Sequence, residues 1–116
     1  MSIKRIESNG YLSKAVVHNG IAYIAGQTAA DDSQDMAGQM DQVLSKIDEY
    51  LAAAGTDNTK LLTAMIYLSD MSKKNAMNDK WIAWLGAGNQ PTRACVGTNL
   101  GTPGKLVEIV VSAAVE

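Results

Sequence analysis

The sequence predicts an α+β fold: one mixed β-sheet covered on a single face by two helices. Three observations lead there. Six short segments have the β-branched, aromatic or alternating character of strands, and two longer ones carry apolar residues at helical spacing. Their order is β-β-β-α-β-α-β-β, so both helices can lie on one side of a shared sheet. The length, 116 residues, suits a single domain spanning residues 1–116 and leaves no room for two.

The elements follow in order. Ile3–Glu7 is a short alternating stretch. Lys14–His18 and Ile21–Ala25 flank Asn19-Gly20, a dipeptide that tolerates φ > 0 at both positions and is the strongest short hairpin signal. Met36, Met40, Val43, Leu44, Ile47, Leu51 and Ala54 recur at spacings of three and four, which places them on one helix face. Asp32 or Ser33 is placed to cap that helix, and Gly55 sits where a C′ glycine belongs. Lys60–Ser69 is a nearly continuous apolar run of strand length, as a central buried strand requires. A second helix follows, with Asp70 or Ser72 as its cap and Met77, Trp81, Trp84 and Leu85 as its apolar face; Gly86 and Gly88 end it. Thr92–Leu100 and Lys105–Val115 complete the strands, and the turn Gly101-Thr102-Pro103-Gly104 should make them neighbours. Two helices on one face leave the other face apolar and bare, and on so small a chain a partner must bury it. The charged fraction, 19%, lies below the globular norm and also points to self-association.

Composition excludes several classes. Net charge is −2, the pI is about 5.3, and no basic run occurs, whereas nucleic-acid binders carry a basic patch or stripe; no nucleic-acid partner is expected. Lys73-Lys74 reads as solvated surface, and Asp31, Asp32 and Asp35 as a helix start where negative charge suits the dipole. A single cysteine, Cys95, allows no intrachain disulfide, and with the single His18 it cannot build a His/Cys zinc site. The N-terminal ten residues are polar and mixed, unlike a signal peptide, and no apolar run approaches the ~18 residues of a membrane helix. The expectation is a reduced, cytoplasmic protein with no membrane partner.

Two charges stand in strand-like surroundings, Arg93 and Glu108. Charges are rarely buried unless paired. One explanation is structural, an ion pair or edge charges that discourage aggregation. The other is an anion site, where the planar guanidinium fork matches a carboxylate and the glutamate orients a water molecule. Cys95 follows Arg93 by two positions and faces the same side of the strand; with no base beside it in sequence it reads as packing. Tyr11 could donate a hydrogen bond to a ligand, or be an ordinary surface tyrosine. Gly26-Gln27 opens no phosphate loop, since no glycine-rich nucleotide pattern follows.

The ordered set of motifs resembles the Rid/YjgF family. Pro91-Thr-Arg-Ala-Cys-Val96, Leu100, a Pro-Gly turn and Val107-Glu-Ile109 are similar to its C-terminal signature, with the glutamate fifteen positions after the arginine. Tyr23-Ile-Ala-Gly-Gln27 resembles a family strand end, and Tyr67-Leu-Ser-Asp70 followed by Met77-Asn78 resembles a further family segment. Residues 77–88 are more similar to a YoaB-like branch than to the founding one.

The resemblance implies a chorismate-mutase-like fold and a homotrimer with a central β-barrel, which would supply the missing partner. It implies ligand clefts between subunits that take small 2-imino or 2-keto carboxylates, with no metal or organic cofactor. It assigns the substrate carboxylate to Arg93, the hydrolytic water to Glu108, and ligand contacts to Cys95 main chain, Tyr11 and Gly26. The implied activity is hydrolytic deamination of reactive enamines or imines to 2-keto acids and ammonia. Two departures from the founding pattern, Ala25 for a serine and Ser72 for an asparagine, bear on substrate range and rate. Alternatives are a non-catalytic 2-keto-acid binder, a chaperone-like interaction module and an RNA-directed activity.

Overall fold

The computed structural model describes residues 2–116. The elements run β1 (Lys4–Ser8), β2 (Ser13–His18), β3 (Ile21–Gln27), α1 (Met36–Ala53), β4 (Leu61–Leu68), α2 (Lys74–Leu85), β5 (Thr92–Gly97) and β6 (Val107–Ala114), in the expected order. Single 3₁₀ turns, Asn58–Lys60 and Met71–Lys73, lead into β4 and α2. Asn19 and Gly20 both take positive φ, 53° and 75°, and join β2 to β3 in the two-residue hairpin their sequence predicts.

The six strands form one sheet in the order β1-β2-β3-β6-β4-β5. Every pair is antiparallel except β4 and β5. The expectation that the Gly101–Gly104 turn makes the last two strands neighbours is therefore wrong. The β4-α2-β5 unit explains why. A strand that returns through a helix can lie parallel to its predecessor, and β5 takes one edge of β4. The last strand is then left with the other edge of β4, between β4 and β3. Its run of aliphatic residues suits that central place, while β5, largely exposed, suits the edge.

One layer of helix covers one face. Met36, Met40, Val43, Ile47 and Leu51 of α1 and Met77, Trp81 and Leu85 of α2 pack in a single core with Ala22, Ile24, Ala64, Ile66, Leu68, Val107, Ile109 and Val111 of the sheet. The alternate strand positions face the other way. There Tyr23 is 51% exposed and Leu62 and Val96 are each 42% exposed, and Tyr23, Leu62 and Val110 line a groove. This is the bare apolar face expected from the sequence.

The caps differ from expectation. Asp35, not Asp32 or Ser33, caps α1, its carboxylate accepting from the Gly38 N–H at 2.9 Å. Asp31 is engaged in its own turn, accepting from the Ser33 N–H and hydroxyl. Asp70 likewise accepts from both groups of Ser72, so it caps the 3₁₀ turn, and α2 begins without a side-chain cap. These hydrogen bonds to the charged form hold the Asp31 and Asp70 carboxyls below the ordinary carboxylate range. Gly55 follows α1 at φ 89°, as predicted.

Gln39 lies on the buried stripe of α1 with no exposed surface. Its amide donates to the carbonyls of Asp32 (3.3 Å), Gln34 (3.1 Å) and Gly104 (2.9 Å), and accepts from the Leu106 N–H at 2.9 Å. One side chain thus ties the loop before α1 to the segment that enters β6. Lys105 adds to the tie, donating to the Ala29 carbonyl. Gln39→Ala should destabilise the protein by roughly 3 kcal/mol, because it strands several buried backbone groups and leaves a cavity. Urea unfolding of wild type and variant at one protein concentration measures this; a loss below about 1 kcal/mol would mean that water replaces the amide.

Candidate active site

Arg93 lies on the edge strand β5, in register with Ala64 of β4 and, one strand further, with Val111 of β6. Ala64 and Val111 belong to the helix-covered face, so Arg93 projects on that side. Its Nη1 donates to Asn78 Oδ1 of α2 at 2.7 Å. The guanidinium is exposed, with its remaining donors free for a ligand. Cys95 shares the face, as predicted, and is half-buried against the core.

Glu108 lies in register with Tyr67 of β4 and, beyond it, with Val96 of β5. Val96 stands three positions from Arg93 on β5, an odd number, so Glu108 projects on the opposite, bare face. No cation pairs with Glu108 among the described residues. The proposed Arg93–Glu108 ion pair is absent, and one chain does not bring the two groups together.

Gly26 explains where the carboxylate sits. The β3–β6 register shifts between Ile24 and Gln27, and Gly26 lies in that irregular stretch. A Cβ added at Gly26 would fall on Oε2 of Glu108 and come within 3.1 Å of its Cδ. Glu108 therefore occupies the space a side chain at 26 would fill. The backbone there has ordinary φ, so the glycine gives the carboxylate room and not a special conformation; a side chain at 26 would displace the flexible end of Glu108. The resemblance offered Gly26 as a substrate contact; the geometry gives it a further part as the floor beneath Glu108. Ala25 adjoins it and offers no hydroxyl.

Tyr11 stands apart from both groups, 98% exposed at the tip of the β1–β2 turn. Asn78 is the residue the sequence reasoning missed. Its place in a family-like segment was visible, but its contact with Arg93 depends on where α2 crosses the edge strand. Ser72, which stands where the founding pattern has an asparagine, is bonded to Asp70, and the amide beside Arg93 is that of Asn78. No cluster of three or more His, Cys, Asp or Glu side chains able to hold a metal ion occurs among the described residues. Nor is any of their helices long and apolar enough to cross a membrane.

The family model described as Endoribonuclease L-PSP matches residues 2–115. The chain belongs to this family, the Rid/YjgF family. A RutC family protein of Haemophilus ducreyi is 42% identical over 113 residues, covering 97% of each chain. The RutC family protein YoaB of Escherichia coli is 36% identical over 115 residues, covering 99% of this chain and 100% of YoaB, in line with the YoaB-like segment at residues 77–88. A more distant Rid/YjgF relative, the 2-iminobutanoate/2-iminopropanoate deaminase of rat, is 28% identical over 106 residues and covers 86% of this chain and 77% of its own. Among solved structures, the YjgF-family protein NMB1025 of Neisseria meningitidis superposes with a TM-score of 0.96 at 37% identity, over 100% of this chain and 97% of that one. The fold is thus the YjgF fold.

Two variants probe this geometry. Gly26→Ala should push the flexible end of Glu108 aside and cost less than about 1 kcal/mol of stability in urea unfolding; a larger loss would mean that the carboxylate cannot swing clear. Asn78→Ala should cost up to about 1 kcal/mol, as one exposed hydrogen bond to a charged group is lost; no change would mean that the contact contributes nothing net.

Proposed function

We propose that the protein is a hydrolase that deaminates reactive 2-imino acids, with sites assembled between copies of the chain in a homotrimer. The observation that carries this reading is the placement of Arg93 and Glu108 on opposite faces of one sheet. A carboxylate held by Arg93 can meet the Glu108 carboxylate only if the bare face of one copy approaches the edge strand of another. The same approach would bury Tyr23, Leu62 and Val96, whose exposure a monomer does not explain. The trimer, with the sheets forming a central barrel, satisfies both requirements. The rat relative's name, a 2-iminobutanoate/2-iminopropanoate deaminase, supports the reaction class.

The chemistry asks little beyond orientation. Arg93, fixed by Asn78, holds the substrate carboxylate, and the β5 main chain at Cys95 adds contacts. The enamine tautomerises to the imine, whose carbon is electrophilic. Glu108 of the neighbouring copy takes a proton from water as its oxygen bonds to that carbon. That proton passes to nitrogen, giving a carbinolamine; the glutamate then takes the carbinolamine's hydroxyl proton and delivers it to nitrogen as the C–N bond breaks and the C=O bond forms, giving a 2-keto acid and ammonia. Orientation and one proton relay suffice for a reaction whose uncatalysed rate is not slow.

Ala25, adjoining the glutamate's floor with no hydroxyl, favours a second reading, a 2-keto-acid binder that does not turn over substrate. The deciding experiment follows ammonia release from 2-iminobutanoate generated in situ. Wild type should accelerate it, and Arg93→Ala should lower kcat/KM by at least about a hundredfold while the oligomer's mass is unchanged. Glu108→Gln should retain 2-ketobutyrate binding and lose turnover. Binding of the keto acid with no acceleration by wild type would establish the binder. Full activity in Arg93→Ala would end the binder reading and would remove Arg93, and the inter-copy site built on it, from the deaminase reading.

A further inference from the structure

Lys73-Lys74 reads as solvated surface in the sequence, but the structure separates the two residues. Lys73 is exposed, whereas Lys74 is half-buried. Lys74 forms no ion pair among the described residues. Nor does its charge serve the helix, since a cation at the start of α2 opposes the helix dipole.

Two contacts fix where Lys74 stands. Arg93, Cys95 and Gly97 share one face of the edge strand β5. Arg93 donates to Asn78 of α2. A Cβ added at Gly97 would come within 2.8 Å of Met71 Cγ, so the Met71 side chain lies over that glycine. The segment from Met71 through α2 therefore runs antiparallel to β5, with Asn78 against Arg93 and Met71 against Gly97. Lys74 lies four residues before Asn78 and so on the same helix face. Those four residues rise roughly 6 Å. The two residues from Arg93 to Cys95 span about 6.6 Å of strand. Lys74 thus stands level with Cys95, between the guanidinium and the Met71 side chain.

We infer that Lys74 is a second cation of the site, a specificity-determining residue that selects 2-imino and 2-keto acids whose side chain ends in a second carboxylate. The inference rests on the Arg93 site proposed above and names its substrate class. With its first carboxylate on Arg93, a short dicarboxylate laid along β5 presents the second about one helical turn away, on the Lys74 side. The ammonium is a compact charge on a flexible stem, so it can follow a four- or five-carbon chain. A ligand ending in a methyl group leaves that ammonium without a partner.

The test uses the full chain and two four-carbon keto acids that differ only at the far end, 2-ketobutyrate and oxaloacetate, compared by equilibrium binding. The matching imines, 2-iminobutanoate and 2-iminosuccinate generated in situ, are compared by kcat/KM. Wild type should favour the dicarboxylate at least about tenfold, the effect of one hydrogen bond between charged groups. Lys74→Gln should erase that preference, Lys74→Glu should reverse it, and Lys74→Arg should keep it within about threefold. Lys73→Gln, at the exposed neighbour, should keep it within about twofold. No preference in wild type, a preference that survives in Lys74→Gln, or an equal loss in Lys73→Gln would overturn the role of Lys74. In each of those cases 2-ketobutyrate binding that is lost in Arg93→Ala would leave the Arg93 site standing. A wild type that binds neither keto acid and turns over neither imine would remove that site, and the role of Lys74 with it.

Discussion

The central position of β6 is the constraint from which the site follows. Because β4 and β5 are joined through α2 and lie parallel, β6 can reach β4 only on its far side, next to β3. Two consequences come at once. The aliphatic run of β6 is buried against the helices on one face, and its alternate positions, Glu108 among them, are turned to the other. Arg93 is left on the outermost strand, three strand positions out of phase with the row that carries Glu108. A register slip of one residue in β5 or β6 would bring both charges to one face. The register is held against such a slip by the buried Ile66, Leu68, Val107 and Ile109, so core packing and site geometry are set by the same contacts.

The two faces of the sheet carry different work. The helix-covered face supplies stability, and Gln39 locks the segments around it where the backbone would otherwise be unsatisfied. The bare face has polar groups at definite places, the Thr63 and Ser112 hydroxyls paired at 2.5 Å and Glu108 over Gly26, within apolar surroundings. That mixture suits an interface between copies better than a surface in water. Under the proposed assembly, one step would bury the apolar face and complete the site, and a lone copy would lack half of the chemistry.

Much of this was legible in the sequence, where the signal is local. The three-and-four spacing of α1, the Asn19-Gly20 hairpin and the glycine after α1 each act through a few adjacent residues, and each forms as predicted. The bare face could be foreseen from the number of helices alone. What the sequence hid is long-range. Placing β5 beside β6 failed because a short turn suggests adjacency, while the crossover through α2 decides it. The cap of α1 is Asp35 and not Asp32 or Ser33, because the helix begins only at Met36 and Ser33 is held in the turn that Asp31 closes. Arg93 and Glu108 could be singled out as charges in strands. Their opposition across the sheet, and the Asn78 amide on Arg93, depend on register and on where α2 crosses. Gln39 could have been noticed, since a glutamine on an otherwise apolar stripe of α1 needs buried partners.

The setting of Glu108 argues for use over stability. A carboxylate on the central strand with no cation beside it among the described residues is costly to desolvate, and an aliphatic residue would pack there without that cost. The fold does not neutralise it. It opens room instead, through a glycine and a strand irregularity on β3, so that the carboxylate lies against backbone and Glu108 stays partly buried. Arg93 shows the same economy from the other side: it is steadied by a neutral amide, which fixes its direction and leaves its charge uncompensated. Two opposite charges, neither paired with a counter-charge among the described residues, lie on opposite faces of the sheet, so within one chain they do not meet; under the proposed assembly they would face one another across a boundary between copies, with room for a small anion and a water molecule between them.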